Sequence, residues 1–282
     1  MSTGNQPGRL FCFGLGYSAR ALAAELMAAG WRVAGTSRDE AGLATLAGLG
    51  IESHRFEAVT PGALAGTTHL LSSVPPDEAG DPVLARHGAL LAPLAGTLAW
   101  AGYLSTTGVY GDTGGAWVDE AAPLAPSGAR QARRIAAERA WLAALPCHVF
   151  RLAGIYGPGR SALDQVRAGT AKRIDKPDHL FSRIHVDDIS NVLIASFARP
   201  NPGAIYNVCD DRPAAPAEVV TEASRLLGVE PPPLQPLVLS ALSPMAASFW
   251  RDHRRVRNDR IRRELGVVLR HPDYRSGLAA CL

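Results

Sequence analysis

The segment Arg9-Leu-Phe-Cys-Phe-Gly14-Leu-Gly16-Tyr-Ser-Ala19 decides the fold class. A mostly apolar run, two glycines and an alanine-rich stretch follow one another, which predicts a buried strand, a tight turn and a helix. Gly14 permits the turn, Gly16 lets a pyrophosphate approach the backbone, and Ala19 keeps the helix close to the sheet. Because the N-terminus of such a helix attracts anions, the segment predicts a dinucleotide site.

The end of the next predicted strand, Trp31-Arg-Val-Ala-Gly-Thr36-Ser37-Arg38, indicates which dinucleotide is bound. An acidic residue here would bind the adenosine ribose of NAD(H), and the stretch contains none. Arg38, helped by the hydroxyls of Thr36 and Ser37, is suited to the extra phosphate of NADP(H). A charge-assisted hydrogen bond of this kind is worth about 1.5–3 kcal/mol, or about 10- to 100-fold in affinity. The stretch favours NADP(H), although Arg38 can also be a solvated residue partly neutralised by Asp39.

Composition argues against several classes of partner. The chain has 282 residues and a formal net charge of +3, which gives no indication of nucleic acid or an anionic membrane as a partner. Its cysteines lack the paired spacing of a zinc site or a redox dithiol, and its N-terminus lacks the layout of a signal peptide. Residues 88–111 carry no charge or histidine, but glycines and Pro93 interrupt them, so they fit a helix end and a buried parallel strand. We expect a soluble, cytoplasmic protein.

Alternating strand and helix patterns predict an α/β fold with a doubly wound parallel sheet, the Rossmann fold. The predicted helices cover residues 18–29, 39–47, 81–94 and 128–145. The predicted strands cover residues 9–13, 31–36, 51–56, 69–73, 98–105 and 147–152. Ligands of such sheets bind at the carboxyl ends of the strands, where we expect four loops to converge, at residues 14–19, 72–76, 105–111 and 153–160.

We expect residues 1–155 to form the dinucleotide-binding domain. Residues 156–282 have a looser pattern with proline-rich patches, and we expect them to complete the sheet and form a small C-terminal substrate lobe. Besides the residues above, the expected cofactor contacts are Tyr17, Ser18, Ser73, Val74, Pro75 and Arg134.

Several motifs together resemble the extended short-chain dehydrogenase/reductases, the group of NAD-dependent epimerases and dehydratases. They are the glycine turn, Leu104-Ser-Thr106-Thr-Gly-Val-Tyr110-Gly, Arg151-Leu-Ala-Gly-Ile-Tyr156-Gly-Pro-Gly and Arg183-Ile-His185-Val-Asp187-Asp188. The resemblance spans nearly the whole chain. It implies that Thr106 polarises a substrate carbonyl or hydroxyl group, and that the helices near 81–94 and 128–145 form a homodimer.

The same resemblance implies a catalytic Tyr-x-x-x-Lys pair, which this chain lacks. Counting back from Glu138 places Arg130 at the tyrosine position and Arg134 at the lysine position. Arg134 can still donate hydrogen bonds to ribose hydroxyls, but a guanidinium group does not release its proton at working pH. The chain therefore resembles the atypical members of the family, which keep the cofactor fold and often lose the catalytic residues.

Other residues are candidates for the missing proton donor. Tyr110 and Tyr156 are the candidate catalytic residues, with packing as the alternative. Asp112 also lies in a loop at the cofactor edge of the sheet, and His185 is of a residue type that titrates in the right pH range. Asp187 is most simply the N-cap of a helix over residues 189–198, and His185 with two aspartates has no third ligand cluster, so no metal is predicted.

The densest basic patch covers residues 251–263. It is either a solvated helix face or an anion-binding wall of the substrate cleft, which would suit an anionic small molecule.

Two functions follow from these observations. The first is an NADP(H)-dependent oxidoreductase or epimerase-like protein acting on a small carbonyl, hydroxyl or nucleotide-sugar-like compound. The second is a non-catalytic NADP(H)-binding sensor or regulatory protein, since the catalytic pair is missing. Thr106 favours the enzyme, because a sensor needs no group that polarises a carbonyl.

Overall fold

The structure is a computed structural model that describes residues 7–241 and 244–282. The strands are β1 (Arg9–Phe13), β2 (Arg32–Ser37), β3 (Glu52–Arg55), β4 (His69–Ser72), β5 (Trp100–Thr106), β6 (Trp117–Val118), β7 (Cys147–Leu152), β8 (Gly154–Tyr156), β9 (Arg173–Asp175), β10 (Arg183–His185), β11 (Ile205–Val208), β12 (Leu234–Pro236) and β13 (Arg255–Val256). The helices are α1 (Tyr17–Ala28), α2 (Glu40–Gly48), α3 (Pro61–Leu64), α4 (Pro82–Leu91), α5 (Ala129–Ala144), α6 (Ala162–Arg167), α7 (Val186–Ala198), α8 (Pro216–Leu227), α9 (Pro244–Arg251), α10 (Asp259–Leu265) and α11 (Tyr274–Ala279).

A parallel sheet of seven strands forms the centre of the molecule, in the order β3-β2-β1-β4-β5-β7-β11. The strand order reverses between β1 and β4, and the crevice at such a reversal is where doubly wound sheets bind ligands. The fold class predicted from the sequence is confirmed. The six strands predicted up to residue 152 all occur, each within two residues of its predicted bounds.

Strand β1 shows why the sheet is apolar on both sides. Leu10 and Cys12 belong to one hydrophobic cluster, whereas Phe11 and Phe13 belong to a second. Successive side chains of a strand point to opposite faces, so each face of the sheet has its own helix-covered core. Strand β5 is buried in the same way, which accounts for the uncharged stretch over residues 88–111. None of the helices that the structure describes combines the length and hydropathy needed to cross a bilayer.

Two helix boundaries differ from the sequence prediction. Helix α4 ends at Leu91 and continues as a 3-10 turn over Ala92–Leu94, because Pro93 has no N–H to continue an α-helix. The N-cap of α7 is His185 and not Asp187, since the Nδ1 atom of His185 accepts the N–H of Asp187 at 3.2 Å. Asp187 therefore lies in the first turn of α7, where its charge favours the helix dipole.

The C-terminal region contributes to the sheet and also has a core of its own. Strand β11 pairs with β7 and forms the last strand of the sheet. Helices α6, α8 and α11 enclose a third cluster of buried apolar residues, formed by Leu163, Ala214, Val219, Ala223, Tyr274 and Leu278. The short strand pairs β8–β10, β9–β12 and β6–β13 border this region and bring distant segments next to the carboxyl ends of β5 and β7. The domain boundary near residue 155 stays a prediction.

Candidate functional site

A cleft of about 550 Å³ opens at the carboxyl ends of β1, β2 and β4. This location is the one expected for a dinucleotide. Most of the predicted cofactor residues line it, namely Gly14, Gly16, Thr36, Ser37, Arg38, Ser73, Val74 and Pro75. The other four predicted contacts do not line this cleft.

Three strands hold the turn at Gly14 in place. Gly14 has a φ of +78°, and a Cβ atom there would lie 2.9 Å from Cγ2 of Val74, so no other residue fits without strain. The N–H of Gly14 donates to Oγ1 of Thr36 at 2.9 Å, and the hydroxyl of Ser73 donates to the carbonyl oxygen of Gly14. Thr36 is therefore buried, with its hydroxyl already engaged by the turn.

Among the residues that the structure describes, no acidic side chain caps the N-terminus of α1. Gly16 is the N-cap, no side chain caps the helix, and no acidic residue lies in its first turn. A Cβ atom on Gly16 would meet nothing within 4 Å, so the missing side chain leaves open space in front of the helix. Free N–H groups and an open approach are what a pyrophosphate needs, so this cleft fits a dinucleotide.

Arg38 lies at the mouth of the cleft and is exposed. The neighbouring Asp39 is occupied as the N-cap of α2, where its carboxylate accepts the N–H of Gly42 at 2.7 Å. Among the residues that the structure describes, Arg38 has no ion-pair partner. The alternative in which Asp39 neutralises Arg38 is not the arrangement found here.

The four remaining predicted cofactor residues have other contacts. Ser18 and Ala19 are buried residues of α1 itself, and the hydroxyl of Tyr17 donates to the carbonyl oxygen of Pro158 at 3.0 Å. Nη1 of Arg134 donates to the carbonyl oxygen of Leu104 and to the hydroxyl of Tyr103, each at 3.0 Å.

A second pocket of about 180 Å³ lies at the carboxyl ends of β5 and β7. Oγ1 of Thr106 accepts the N–H of Gly108 at 3.1 Å, which fixes the side chain and leaves the hydroxyl proton free to donate. Other lining residues come from distant parts of the chain: Gly154, Phe181, Arg183, Phe249, Asp252 and Arg254. The sequence predicted that the loop containing Gly154 lies near Thr106, and it offered the run over residues 251–263 as one possible wall of the substrate cleft. It did not indicate Phe181, Arg183 or Phe249, which only the fold brings to this pocket.

Arg130 lies close to this second pocket. Its guanidinium group lies 5.9 Å from the centroid of the Phe249 ring, and Phe249 lines the pocket. A cation over an aromatic face is stabilising. Arg130 thus contacts a wall of the pocket that contains Thr106, whereas Arg134 donates hydrogen bonds to two residues of β5.

The two candidate tyrosines do not line the pocket that contains Thr106. Tyr110 is fully buried, its hydroxyl donates to Oδ1 of Asn207 at 2.7 Å and accepts from Arg151 at 2.9 Å, and burial raises its pKa. Burial also raises the pKa of Tyr156, which lines a separate pocket of about 780 Å³. The packing alternative describes Tyr110, because both hydrogen-bonding capacities of its hydroxyl are satisfied within the core.

A buried ion pair lies next to the end of β5. The Nη2 atom of Arg151 lies 2.8 Å from the Oε2 atom of Glu138, and the two side chains are 2% and 3% exposed. The hydroxyl of Ser105 donates to the Glu138 carboxylate at 2.5 Å, next to Thr106 in the chain. The sequence motifs contain each of these residues, but a one-dimensional pattern does not show that they form one network.

Two further groups differ from the sequence prediction. His185 and Asp187 do have a third potential ligand, because His271 places its Nε2 atom 3.6 Å from the Asp187 carboxylate. Asp112 accepts the N–H groups of His253 and Gly114, and these hydrogen bonds lower its pKa, as suits a loop residue.

The basic run over residues 251–263 is largely paired with carboxylates. Arg257 pairs with Asp259, and Arg260 and Arg263 both pair with Glu264. Asp252, Arg254 and Val256 of the run line the pocket with Thr106, and Arg254 is the arginine among them. The run therefore combines a paired, partly exposed surface with one arginine directed into the candidate site.

Comparison with known proteins yields two relatives that match nearly the full chain. No protein-family model matches it. Protein YeeZ of Escherichia coli K12 is 29% identical over 277 residues, which cover 92% of this chain and 95% of YeeZ. A functionally unknown conserved protein from Silicibacter pomeroyi is 51% identical, with a TM-score of 0.92 and coverage of 97% of this chain and 98% of that one. The chain belongs to the same family as this Silicibacter pomeroyi protein.

More distant solved structures share the whole fold. A dTDP-glucose 4,6-dehydratase from Bacillus anthracis in complex with NAD is 15% identical, with a TM-score of 0.75 and coverage of 97% and 95%. The human epimerase family protein SDR39U1 with NADPH is 18% identical, with a TM-score of 0.74 and coverage of 96% and 97%. The chain has the fold of the extended short-chain dehydrogenase/reductases. The resemblance drawn from the sequence motifs is thereby confirmed at the level of the fold.

Proposed function

We propose that the chain is an NADP(H)-dependent oxidoreductase acting on a small carbonyl or hydroxyl compound. The observation that carries the proposal is the adjacency of two sites on the same sheet. One is the cleft in front of α1, and the other is the pocket containing Thr106. The fold neighbours include a structure in complex with NAD and one with NADPH, which supports a nicotinamide cofactor.

The preference for NADP(H) rests on Arg38. Its exposed guanidinium group lines the cleft without an ion-pair partner among the described residues, and the nearby carboxylate of Asp39 is held by α2. A 2′-phosphate placed there would gain a charge-assisted hydrogen bond. The carboxylate nearest the end of β2 is that of Asp39, which lines the cleft but uses one oxygen to cap α2, so it is less available to the ribose hydroxyls of NAD(H).

The chemistry of the pocket follows from Thr106. When bound, the cofactor supplies a hydride to a carbonyl carbon and is itself oxidised, while the carbonyl oxygen takes up a proton. The Thr106 hydroxyl donates to that oxygen as negative charge develops on it, which is worth about 10²- to 10³-fold in rate. With arginines at the tyrosine and lysine positions, the proton is taken from water, so turnover is slower by about 10²- to 10⁴-fold than with a positioned acid.

Cofactor binding is tested by thermal shift with the Gly16→Val variant. In the wild type, NADPH at 100 times its Kd stabilises the fold by about 2.7 kcal/mol, a rise in Tm of roughly 5–10 °C. Gly16→Val keeps the Tm of the free protein, because its side chain enters open space, but it loses the shift by filling that space. An equal NADPH shift in both proteins would contradict the assignment of the cleft.

Cofactor preference is tested with Arg38→Asp. Arg32→Asp is the matched control, since Arg32 is an exposed arginine at the opposite end of the same strand. We expect the ratio of the Kd values for NADH and NADPH to fall by about 10- to 100-fold for Arg38→Asp and to stay unchanged for Arg32→Asp. Identical ratios in all three proteins would refute the role of Arg38.

Turnover is tested by following NADPH absorbance with a panel of ketones and aldehydes. Thr106→Ala should lower any observed rate by about 10²-fold or more, whereas Thr106→Ser keeps the hydroxyl and most of the rate. A Thr106→Ala rate equal to that of the wild type would remove Thr106 from the mechanism.

A non-catalytic NADP(H)-binding protein is the second candidate function. The observation that favours it is the position of Arg134, whose guanidinium group is held by Leu104 and Tyr103 outside both candidate ligand sites. NADPH binding without oxidation by any member of the carbonyl panel would favour this function over the enzyme.

A further inference from the structure

Arg183 on β10 is a half-buried cation that carries no ion pair to any residue the structure describes. Its Nη1 atom donates to the carbonyl oxygens of Phe181 and Ala214, at 2.9 and 2.8 Å. Burial lowers its pKa, the sign that its charge is poorly solvated. A buried charge without a counter-charge is costly, so a guanidinium group placed in this way is suited to an anionic ligand.

The acidic residue next to Arg183 does not supply the missing charge at neutral pH. Asp210 donates its N–H to the carbonyl oxygen of Arg183 at 2.7 Å, but its carboxyl group makes no ion pair with the guanidinium group. Burial raises the pKa of Asp210 to about 8, so its carboxyl group is mostly in the neutral, protonated form at pH 7. Its Oδ2 atom is buried without a hydrogen-bond partner.

The free edge of the guanidinium group has the geometry that carboxylates use. A guanidinium group has five N–H donors, and the two on Nη1 are engaged by the carbonyl oxygens. The Nε and Nη2 atoms have no hydrogen-bond partner among the described residues, and neither is sealed from solvent. This edge is a parallel fork that binds both oxygens of one carboxylate.

The pocket that Arg183 shares with Thr106 limits the ligand in size and charge. Its volume of about 180 Å³ suits a small molecule, and Arg183 also lines the larger pocket of about 780 Å³. Arg254 also lines it, but its Nη1 atom pairs with the Asp252 carboxylate at 3.3 Å, so the pocket has one uncompensated positive charge. Phe181 and Phe249 add apolar walls.

We propose that the substrates are short-chain oxo acids and the corresponding hydroxy acids, with the carboxylate held by the Nε and Nη2 atoms of Arg183 and the carbonyl oxygen at Thr106. This inference rests on the proposed function. The reaction is the one described above, in which the ketone gains a hydride and a proton and becomes an alcohol. The carboxylate is unchanged throughout and serves as the handle that orients the carbonyl group.

The test compares acids with neutral ketones of the same length, in the presence of saturating NADPH. Pyruvate, 2-oxobutanoate, acetoacetate and levulinate are titrated against acetone, 2-butanone and 2-pentanone, with binding followed by ligand-observed NMR. At least one acid should bind 10-fold or more tightly than its neutral counterpart. Arg183→Gln should remove that difference, and Arg183→Lys should reduce it, because an ammonium group lacks the fork.

Arg160→Gln is the matched control variant, because Arg160 lines the larger pocket of 780 Å³ but not the pocket with Thr106. It should bind the acids like the wild type. Equal binding of acids and ketones by the wild type overturns the inference, as does tighter binding of inorganic phosphate than of every acid. Because that comparison needs only the wild type, it decides the question even if the Arg183 variants fail to fold. If NADPH itself does not bind, the proposed function fails instead.

Discussion

The buried pair of Arg151 and Glu138 makes a strong stability prediction. Glu138→Gln keeps the size of the side chain but removes its charge, and leaves the guanidinium group, 2% exposed, without a counter-ion. The carboxylate now accepts from Nε and Nη2 of Arg151 and from Ser105, whereas an amide has one acceptor oxygen. Removing one partner of a buried pair costs about 3–5 kcal/mol. For a domain of this size, that corresponds to a fall in Tm of roughly 10 °C.

The assay is urea unfolding followed by circular dichroism, with calorimetry for Tm. Glu222→Gln is the matched control, because Glu222 binds Arg225 through the same two-point geometry, at 2.9 and 2.7 Å, on the surface. Arg225 is 67% exposed and water can solvate its charge, so this variant should unfold close to the wild type. Equal losses in the two variants would refute the reasoning that burial makes the Glu138 charge essential.

Three further predictions concern single residues. The pKa of Asp210 is raised from 3.8 to about 8, so the folded protein keeps a proton that the unfolded chain releases. The free energy of unfolding therefore falls as pH rises from about 4 to 8, by up to about 1.4 kcal/mol per pH unit. Asp210→Asn should therefore be more stable than the wild type at pH 8 and lose the advantage near pH 4, and parallel pH curves of Tm would contradict this. Gly111→Ala should unfold at least 5 °C lower in calorimetry, because Gly111 has a φ of +65° and the new Cβ atom would lie 1.7 Å from the carbonyl oxygen of Ala125. Gly88→Ala should stabilise the protein by about 0.5–1 kcal/mol in urea unfolding, since Gly88 lies inside α4 and a Cβ atom there meets nothing within 4 Å.

The central sheet was predictable because its signals are local. Strand β1 and the turn after it are encoded within residues 9–19. Gly14 has a positive φ, and glycine is the residue type that adopts such a φ most readily. The two-residue strands β6 and β13 carry no such signal. They form because residues 117–118 and 255–256 meet in space, and no periodicity develops over two residues.

The candidate site also has one part encoded by local sequence signals and another that depends on long-range contacts. The contacts around Gly14 and Arg38 were predictable because one strand-turn-helix unit and the following strand supply them. The pocket around Thr106 was predictable only in part. The run over residues 251–263, which contains Arg254, was one candidate for its wall, whereas Arg183 and Phe249 reach it only after the fold is complete. The third member of the cluster with His185 and Asp187 escaped notice for the same reason, since His271 lies far along the chain.

Residue type alone was a poor guide where a polar side chain forms hydrogen bonds within the fold. A hydroxyl on Tyr110, after a strand, is a reasonable proton donor until Asn207 and Arg151 are seen to occupy it. The hydroxyl of Thr36 accepts the N–H of Gly14, a role in the turn that the residue type did not indicate. Buried polar groups must find partners, and sequence alone does not show which ones they find.

The contact between Tyr17 and Pro158 links the two sides of the ligand-binding face. Tyr17 begins α1 beside the open space at Gly16, and its hydroxyl holds the segment at Pro158, while the guanidinium group of Arg160 lies 5.6 Å from the centre of its ring. Arg160 in turn borders the largest pocket of the C-terminal region described here. One phenol side chain therefore connects the helix that borders the first opening to the loop that borders the second, although it lines neither of the two pockets.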